Sequence, residues 1–304
     1  MVNENIKIAV IGGDRRQIYA ASALKKEGRE VVLCGLPQDT AREVCGADSL
    51  FCYKLSEALS DASLIVLPFP TSTDGVRINA PLDREGALAD VKLASVLNFA
   101  NDRATVVGGK LPSAFSLSAE GKGLFVYDLL DIDAFEIKNA YITAEGALSV
   151  AMNTLSKNIS SARVAVTGFG RISKHLSRLL HILGAEVCVA ARKDSDLAFA
   201  ESLGYSSIKI AGERWSDGLC RGYDVIYNTV PHTIFDRKFL EKVDKKTFIV
   251  ELASVPGGFD ICAAQELRSN ISWALSLPGK YAPESAGTLI AECVEKIISG
   301  EVRL

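Results

Sequence analysis

The sequence predicts an α/β fold made of two Rossmann-like domains, each a doubly wound parallel sheet, joined by a long helix. Its 304 residues exceed the size at which one hydrophobic core keeps growing, which favours two domains. Short apolar runs alternate with helical patterns along the whole chain, as expected for parallel strands buried on both faces. A strand, a glycine turn and a helix follow one another twice, from Ile6 and again from Val164. We therefore expect an N-terminal domain at 1–142 and a dinucleotide-binding domain at 143–304.

The N-terminal domain begins with the β-branched run Ile6–Ile11, the turn Gly12–Gly13 and a helix predicted over Arg15–Lys26. Further strands are predicted at Val31–Leu33, Leu64–Leu67, Val96–Leu97, Thr105–Val107 and Leu124–Tyr127, with helical or loop material such as Leu55–Ser60 between them. The glycine turn places backbone N–H groups, Arg15 and Arg16 at a helix N-terminus, which predicts a site for a substrate carboxylate. For Arg15 a solvated helix face is an equally open interpretation. We assign substrate or partner binding to this domain.

The second domain opens with a helical pattern at 143–157, which we interpret as the helix that joins the two halves. A compact βαβ unit follows, made of Val164–Val166, Gly168–Gly170, Arg171–Leu183 and Val187–Ala191. Three more strands are predicted at Val225–Tyr227, Phe248–Val250 and Ile271–Ala274. The final helix, at Ser285–Ile298, can pack back on the N-terminal domain.

The run Gly168-Phe169-Gly170-Arg171-Ile172-Ser173 is a dinucleotide fingerprint with one change. The first glycine allows the turn, and the second lets a pyrophosphate approach the backbone at the helix N-terminus. Ser173 replaces the third glycine and is still small enough for close packing of the helix on the strand. Because the run follows a strand and opens a helix, it predicts a nicotinamide dinucleotide site. A purely structural glycine turn is the alternative.

The end of the next strand indicates which dinucleotide binds. Arg192 and Lys193 stand where an acidic residue would hold the ribose hydroxyls of NAD(H), and Ser195 adds a hydroxyl nearby. Two cations there favour the 2′-phosphate of NADP(H), although a solvated strand end also carries basic residues. Since ligands bind beyond the carboxyl ends of parallel strands, the stretches 228–232, 254–258 and 277–280, each after a strand, are expected to line the nicotinamide cleft. Further cofactor contacts are assigned to two loops at the first two of these places. Their residues are Asn228, Thr229, Val230 and Pro231 in one loop, and Leu252 and Ala253 in the other.

Composition and charge argue against several classes of function. The net charge is −3 and no long run of like charges occurs, which argues against a nucleic-acid binder. The seven cysteines form no C-x-x-C pair and no Cys/His group at metal-ligand spacing, so we expect reduced, buried thiols and no metal. Met1 to Ile6 lacks the pattern of a leader, and no apolar run is long enough to cross a bilayer. We therefore expect a cytoplasmic protein that does not bind a membrane.

Several short motifs occur in order along nearly the whole chain. They are Gly12-Gly13-Asp14-Arg15-Arg16-Gln17, Thr143-Ala144-Glu145-Gly146, Gly168-Phe169-Gly170-Arg171 with Ala191-Arg192, Asn228-Thr229-Val230-Pro231, Leu252-Ala253-Ser254 with Pro256-Gly257-Gly258 and Asp260, Leu277-Pro278-Gly279 with Ala282-Pro283, and Ala286-Gly287. No single motif is specific. Together and in this order they resemble the A subunit of bacterial dipicolinate synthase.

The resemblance implies an NADP-linked oxidoreductase that acts during sporulation. Its reaction would convert dihydrodipicolinate, an intermediate of the lysine pathway, or its hydrated precursor, to aromatic dipicolinate. The resemblance also implies a partner, the flavoprotein-like B subunit of the same synthase, with the cytoplasm of the mother cell as the setting. A small dicarboxylate is therefore the expected substrate, and a homo-oligomer is compatible with the sequence.

This chemistry requires an electron acceptor, a base and anchors for two carboxylates. The candidate acids and bases are Glu145, His232 and Ser254, and the candidate anchors are Arg16, Thr143 and Lys280. Glu145 lies in the first turn of the predicted joining helix, beside the expected inter-domain cleft, where it could instead complement the helix dipole. His232 follows a predicted strand, but loop histidines are often only solvated. Lys280 fits a carboxylate and a solvated position equally well.

Two other functions are compatible with the sequence. The stretch Asp224–Pro231 is also similar to the corresponding part of shikimate dehydrogenases, so another NADP-dependent dehydrogenase, shikimate- or hydroxyacid-dehydrogenase-like, is one alternative. The Lys/Asp catalytic pair of that family is not apparent in the N-terminal half, which argues against it. The other alternative is a non-catalytic protein that binds NADPH and regulates its partner.

Overall fold

A computed structural model describes residues 6–212 and 215–302 of the chain. The start of the chain, residues 1–5, on which the expectation about a leader depends, lies outside the described residues. The chain divides into two compact units, at Asn139/Ala140 and again at Leu277/Pro278. The first unit therefore contains both ends of the chain, and the second is the continuous middle segment.

The first unit contains one six-stranded sheet. In chain order its elements are β1 Lys7–Ile11, α1 Arg15–Lys26, β2 Glu30–Cys34, α2 Gln38–Cys45, β3 Leu50–Cys52, α3 Leu55–Leu59, β4 Leu64–Val66, α4 Val96–Phe99, β5 Thr105–Gly108, α5 Ser113–Gly121 and β6 Phe125–Asp128. All strand pairs are parallel, in the order β3-β2-β1-β4-β5-β6. The central strands are apolar on both faces, and β1 and β4 are almost entirely buried.

A long helix, α6 Asp133–Met152, leads from the first unit into the second. The elements that follow are β7 Arg163–Thr167, α7 Arg171–Ile182, β8 Glu186–Ala191, α8 Asp194–Ser202, β9 Ser206–Lys209, β10 Val225–Asn228, α9 Arg237–Lys242, β11 Phe248–Glu251, α10 Ile261–Glu266, β12 Ile271–Trp273, α11 Leu277–Tyr281 and α12 Pro283–Ile298. The second sheet is also parallel, in the order β12-β11-β10-β7-β8-β9.

Both sheets have the strand order of a Rossmann fold, in which the direction of winding reverses between the first and fourth strands. The predicted fold class is confirmed. In the second unit the reversal lies between β7 and β10, so the loops that follow these two strands meet at the same edge of the sheet. In dinucleotide-binding proteins of this fold, the ligand binds at the corresponding point.

Two predicted elements were wrong. Val96–Leu97, predicted as a strand, belongs to helix α4, because a two-residue apolar run does not distinguish a strand from a buried helical turn. The joining helix, predicted at 143–157, begins ten residues earlier, at Asp133, and ends at Met152. Acidic side chains in its first turn, Asp133 and Glu136, favour the earlier start through the helix dipole.

The C-terminal helix α12 packs against α1 within the first unit. A Cβ atom at Gly287 would lie 2.5 Å from the carbonyl oxygen of Arg16 and 2.6 Å from Cβ of Tyr19, so the two backbones approach as closely as glycine allows. Arg29 and Glu295 form an ion pair at 2.6 Å between the two segments. These contacts explain why residues from Pro278 onward belong to the first unit; the predicted boundaries placed them in the second domain, with the final helix able to pack back on the first.

Candidate dinucleotide-binding site

The turn after β7 begins with a glycine that the structure requires. Gly168 has a φ of +87°, a conformation that L side chains rarely adopt. A Cβ atom there would also lie 2.5 Å from Oγ1 of Thr229, in the loop after β10. The turn is held to the sheet because the backbone N–H of Gly168 donates to the carbonyl oxygen of Ala190 at 2.8 Å. Backbone conformation and packing together therefore explain Gly168.

The second glycine of the turn is different. Gly170 is the N-cap residue of α7 and has an ordinary φ of −82°. A Cβ atom at this position would meet no other atom within 4 Å. Neither the backbone nor the packing requires glycine here, so the open space in front of the helix is what the glycine preserves. A pyrophosphate needs this space when it approaches the backbone of such a turn.

The first turn of α7 also has an unusual charge for a helix N-terminus. No side chain caps this helix, and none of the side chains in its first turn is acidic. Arg171 and Lys174 are basic, and Lys174 Nζ lies 5.4 Å from the ring centroid of Phe169. Cations are unfavourable at the positive end of a helix dipole unless an anion lies beside them. The charge and the uncapped N–H groups both fit a bound phosphate.

The corresponding turn of the first unit is closed by the chain itself. The Asp14 side chain caps α1 by accepting from the backbone N–H of Arg16 at 3.0 Å, and Gln17 accepts from the backbone N–H of Asp14 at 3.1 Å. The backbone N–H of Gly13 donates to the carbonyl oxygen of Asn79 at 2.8 Å. A carboxylate of the protein therefore lies where the turn of the second unit leaves room for an external anion.

Arg16, predicted to anchor a substrate carboxylate, is buried in this closed turn. Its Nε and Nη2 lie 2.9 and 2.8 Å from the two carboxylate oxygens of Asp14, and Nη2 also donates to the carbonyl oxygen of Phe69. Only 5% of the Arg16 side chain is exposed. The stretch 277–280, predicted as a loop, is instead part of helix α11, and its Gly279 packs against the same pair, since a Cβ there would lie 2.5 Å from Oδ2 of Asp14. The geometry gives Arg16 a structural partner, and its substrate role stays a prediction.

Ser173 takes the place of the third glycine. It is fully buried, and its hydroxyl lies 2.7 Å from Oγ1 of Thr229. Thr229 in turn donates to the carbonyl oxygen of Thr167 at 2.7 Å. The serine therefore replaces a close backbone contact with a hydrogen bond that joins α7 to the loop after β10.

Arg192, Lys193 and Ser195 all lie exposed just after β8, at the same edge of the sheet as the turn of α7. Lys193 is the N-cap residue of α8. The one acidic neighbour in sequence before Ser195, Asp194, forms an ion pair with Lys209 of β9. This pairing offsets the charge of Asp194, while Asp196 contributes a second carboxylate to the same turn, directly after Ser195.

The two later loops contain the other predicted cofactor residues. In the first loop Asn228 is fully buried, Thr229 and Val230 are half-buried, and Pro231 is exposed. In the second loop Leu252 and Ala253 are buried. The predicted acid or base candidates His232 and Ser254 follow these residues and are both exposed.

A buried carboxylate between these loops was missed by the sequence analysis. Glu251 ends β11 with 1% of its surface exposed, and burial raises its pKa while hydrogen bonds from Gly258, Asn228 and Ala253 lower it. The side chain of Asn228, from the adjacent strand β10, donates to it at 2.8 Å. The available signal was an acidic residue at the end of the apolar run Phe248–Val250.

Glu145 lies elsewhere in its helix than predicted. Because α6 begins at Asp133, Glu145 is in mid-helix and not in the first turn, so its alternative role of complementing the helix dipole no longer applies. Its side chain is exposed, whereas Thr143 is half-buried. The following residue, Gly146, is a packing residue, because a Cβ there would lie 2.9 Å from Cβ of Leu277. Lys280, the last predicted anchor, is exposed in α11 of the first unit.

Two further features bear on the class of protein. Across residues 6–212 and 215–302, no group of three or more His, Cys, Asp and Glu side chains is arranged to hold a metal ion. In the same ranges no helix is both long enough and apolar enough to span a bilayer.

Comparison with known proteins agrees with the motifs. The family model that describes the N-terminal domain of the dipicolinate synthase A subunit matches residues 7–130. The A subunit of dipicolinate synthase from Bacillus subtilis (strain 168) is 28% identical, and the match covers 97% of this chain and 96% of that one.

Two solved structures extend the comparison to the fold. The crystal structure of the dipicolinate synthase A chain from Bacillus subtilis matches with a TM-score of 0.80 at 26% identity, covering 98% of each chain. A transhydrogenase from Sinorhizobium meliloti matches with a TM-score of 0.60 at 14% identity, covering 96% of this chain and 93% of that one, which shows a shared fold alone. The chain is therefore similar to the N-terminal domains of dipicolinate synthase A subunits over residues 7–130, and to whole dipicolinate synthase A subunits over nearly its full length.

Proposed function

We propose that this chain binds NADP(H) on its second unit and, with the B subunit of a dipicolinate synthase as its partner, oxidises dihydrodipicolinate to dipicolinate. The observation that carries the proposal is the open N-terminus of α7, where glycine at position 170 serves neither the backbone nor the packing. The equivalent helix α1 is capped by Asp14, so the two Rossmann-like units differ at the one place where a dinucleotide needs room. The similarity to dipicolinate synthase A chains supports the choice of reaction.

Different residues of the second unit bind different parts of the cofactor. The backbone N–H groups at the start of α7, in the run Gly168-Phe169-Gly170-Arg171-Ile172, hold the pyrophosphate. Arg192, Lys193 and Ser195 hold the 2′-phosphate, since guanidinium and ammonium groups pair strongly with phosphate oxygens. The loops of Asn228–Pro231 and Leu252–Ala253 hold the nicotinamide end. A bound nicotinamide nucleotide supplies a two-electron acceptor.

The reaction also requires proton transfer and carboxylate binding. Aromatising a dihydropyridine releases a proton, and the candidates to accept it are Glu145 first, then His232, with Ser254 as a further polar group; all three side chains are exposed. Thr143 and Lys280 are the candidates to bind the substrate carboxylates, with Arg16 limited by its pairing to Asp14. The setting proposed from the resemblance is the cytoplasm of the mother cell in a sporulating bacterium.

The cofactor assignment predicts that the chain prefers NADPH to NADH. A charge-assisted contact between guanidinium and phosphate in a partly exposed site contributes about 1.5 to 3 kcal/mol, roughly a ten- to hundredfold preference. Titration calorimetry with both nucleotides on the wild type and on Arg192→Ala measures it directly. Arg192→Ala should lose most of the preference, and Arg221→Ala, an exposed arginine elsewhere in the same unit, should keep it. An unchanged ratio in Arg192→Ala would contradict the assignment.

A further inference from the structure

Glu251 is a buried carboxylate whose hydrogen-bond partners are all neutral N–H groups. Its Oε1 accepts from the backbone N–H of Ala253 at 2.8 Å, and its Oε2 accepts from the backbone N–H of Gly258 at 2.8 Å. Asn228 Nδ2 lies 2.8 and 3.0 Å from the two oxygens. Burying a carboxylate without a cation is unfavourable, and burial raises the pKa of this group. The three N–H donors fix the position of the Glu251 carboxylate. A residue that only filled space in the core would not need a carboxylate at this position.

The partners of Glu251 tie two loops together. Asn228 belongs to the end of β10, and its Oδ1 accepts from the backbone N–H of Val230 at 3.1 Å and from Oγ1 of Thr167 at 2.6 Å. Ala253 and Gly258 are at the two ends of the loop after β11. The network therefore crosses the carboxyl ends of β7, β10 and β11 and fixes both loops that follow β10 and β11.

The glycines beside Glu251 show how closely the network is packed. A Cβ atom at Gly258 would lie 2.2 Å from Nδ2 of Asn228, and one at Gly257 would lie 3.2 Å from Oε2 of Glu251. Gly257 also has a φ of +79°. Trp273 covers the loop and donates from Nε1 to the carbonyl oxygen of Ala253 at 3.2 Å. The loop after β11 is thus held at both ends by the carboxylate and at its start by the indole.

We infer that Glu251 is a positioning residue for the nicotinamide half of the bound dinucleotide. This inference rests on the proposed function. A Rossmann sheet is built from two mononucleotide-binding halves, and here β7, α7 and β8 form the half for the adenosine and pyrophosphate. The groups that bond directly to Glu251 all lie in the other half, at the end of β10 and in the loop after β11, and only Asn228 reaches β7, through Thr167. Loss of the network should therefore weaken contacts to the nicotinamide end and leave those to the 2′-phosphate end intact.

The test compares two ligands on the variant Glu251→Gln. Glutamine replaces one acceptor oxygen with an NH₂ group, which would face the N–H donors that now bind the carboxylate. The probes are NADPH and 2′-phospho-ADP-ribose, which lacks the nicotinamide. Glu251→Gln should bind NADPH about tenfold or more weakly and the fragment within about twofold of wild type. Glu266→Gln, an exposed glutamate of α10, is the matched control and should change neither affinity.

A second variant distinguishes a specific positioning role of Glu251 from a general loss of structure. Asn228→Asp places a carboxylate against Glu251 and should weaken NADPH binding more than Glu251→Gln does, since two buried like charges repel. The double variant Asn228→Asp/Glu251→Gln restores one donor and one acceptor across the pair, and should recover about threefold or more of the lost NADPH affinity. Equal weakening of both ligands, unchanged NADPH binding in Glu251→Gln, or no recovery in the double variant would overturn the inference. A wild type that binds neither ligand would instead overturn the proposed function.

Discussion

At the level of single residues, glycine serves different purposes at neighbouring positions of one turn. Gly168 is required by its backbone conformation and by its close contact with Thr229, whereas neither backbone conformation nor packing requires glycine at position 170. The glycine turn could be predicted from the sequence, because the spacing of its two glycines reflects local backbone geometry. Glu251 was not readable, since its chemistry arises only when β10 and β11 bring Asn228, Ala253 and Gly258 around it. Gly170 is assigned to the ligand because neither its backbone conformation nor its contacts within the protein require glycine.

Gly170→Val should abolish NADPH binding while leaving the fold intact. A Cβ atom there meets no other atom of the protein within 4 Å, and a branched side chain would occupy the space that the pyrophosphate needs at the start of α7. Titration calorimetry measures the binding, and circular dichroism checks the fold. Gly121→Val is the matched control, because a Cβ there also meets no atom within 4 Å. Wild-type affinity in Gly170→Val would mean that the phosphates lie elsewhere.

At the level of elements, the structure follows the sequence closely where a helix or strand has a strong local signal. Helix α1 lies at Arg15–Lys26, as the pattern predicts, because an acidic cap and a terminal glycine fix its ends. The helical state of Val96–Phe99 could not be predicted in this way, and the start of α6 was missed although Asp133 and Glu136 favour it locally. Short apolar runs carry no periodicity, so the packing of the finished sheet decides their state.

Asp14→Ala should destabilise the first unit by at least about 2 kcal/mol. The substitution removes an N-cap, which contributes about 1 kcal/mol, and leaves the buried guanidinium of Arg16 without its carboxylate. Urea unfolding followed by circular dichroism measures the loss. Asp236→Ala is the control, since Asp236 caps α9 by accepting from the backbone N–H of Phe239 at 2.9 Å. Equal losses in the two variants would show that the Asp14–Arg16 pair adds nothing beyond the cap.

At the level of the whole molecule, the division of the chain depends on contacts between distant segments. Helix α12 belongs to the first unit because Gly287 allows it to approach α1; the sequence was compatible with packing on the first domain, but no local pattern identifies α1 as the partner. The exposure of each cysteine side chain also depends on the packing of the whole molecule. All seven cysteines fall within the described ranges and are free. Four are buried as expected, but Cys45 and Cys52 are only half-buried and Cys262 is exposed, so the expectation of buried thiols was wrong for Cys262 and holds only in part for the other two.

Thiol reactivity should therefore separate Cys262 from the cysteines of the two cores. Burial raises the pKa of Cys34 to about 12, and it also raises the pKa of Cys220 and Cys293. A raised pKa keeps these groups as unreactive thiols at pH values below it, so the reactive thiolate is scarce near pH 8. Alkylation at that pH, read by peptide mass spectrometry, should modify Cys262 first, and Cys262→Ser should remove the fast phase. Rapid labelling of Cys34 in the folded protein would contradict the packing of the first core.

The most direct test of the proposed function is a single-turnover reaction of this chain alone, without the B subunit. The purified chain, in excess, is mixed with NADP⁺ and dihydrodipicolinate, and NADPH is followed by its near-ultraviolet absorbance while dipicolinate is quantified by chromatography. If the chain is an NADP-linked oxidoreductase, NADPH and dipicolinate form in equal, stoichiometric amounts in the wild type, and neither forms with Gly170→Val. Tight binding of NADPH without formation of either product would contradict hydride transfer to NADP⁺ by this chain on its own.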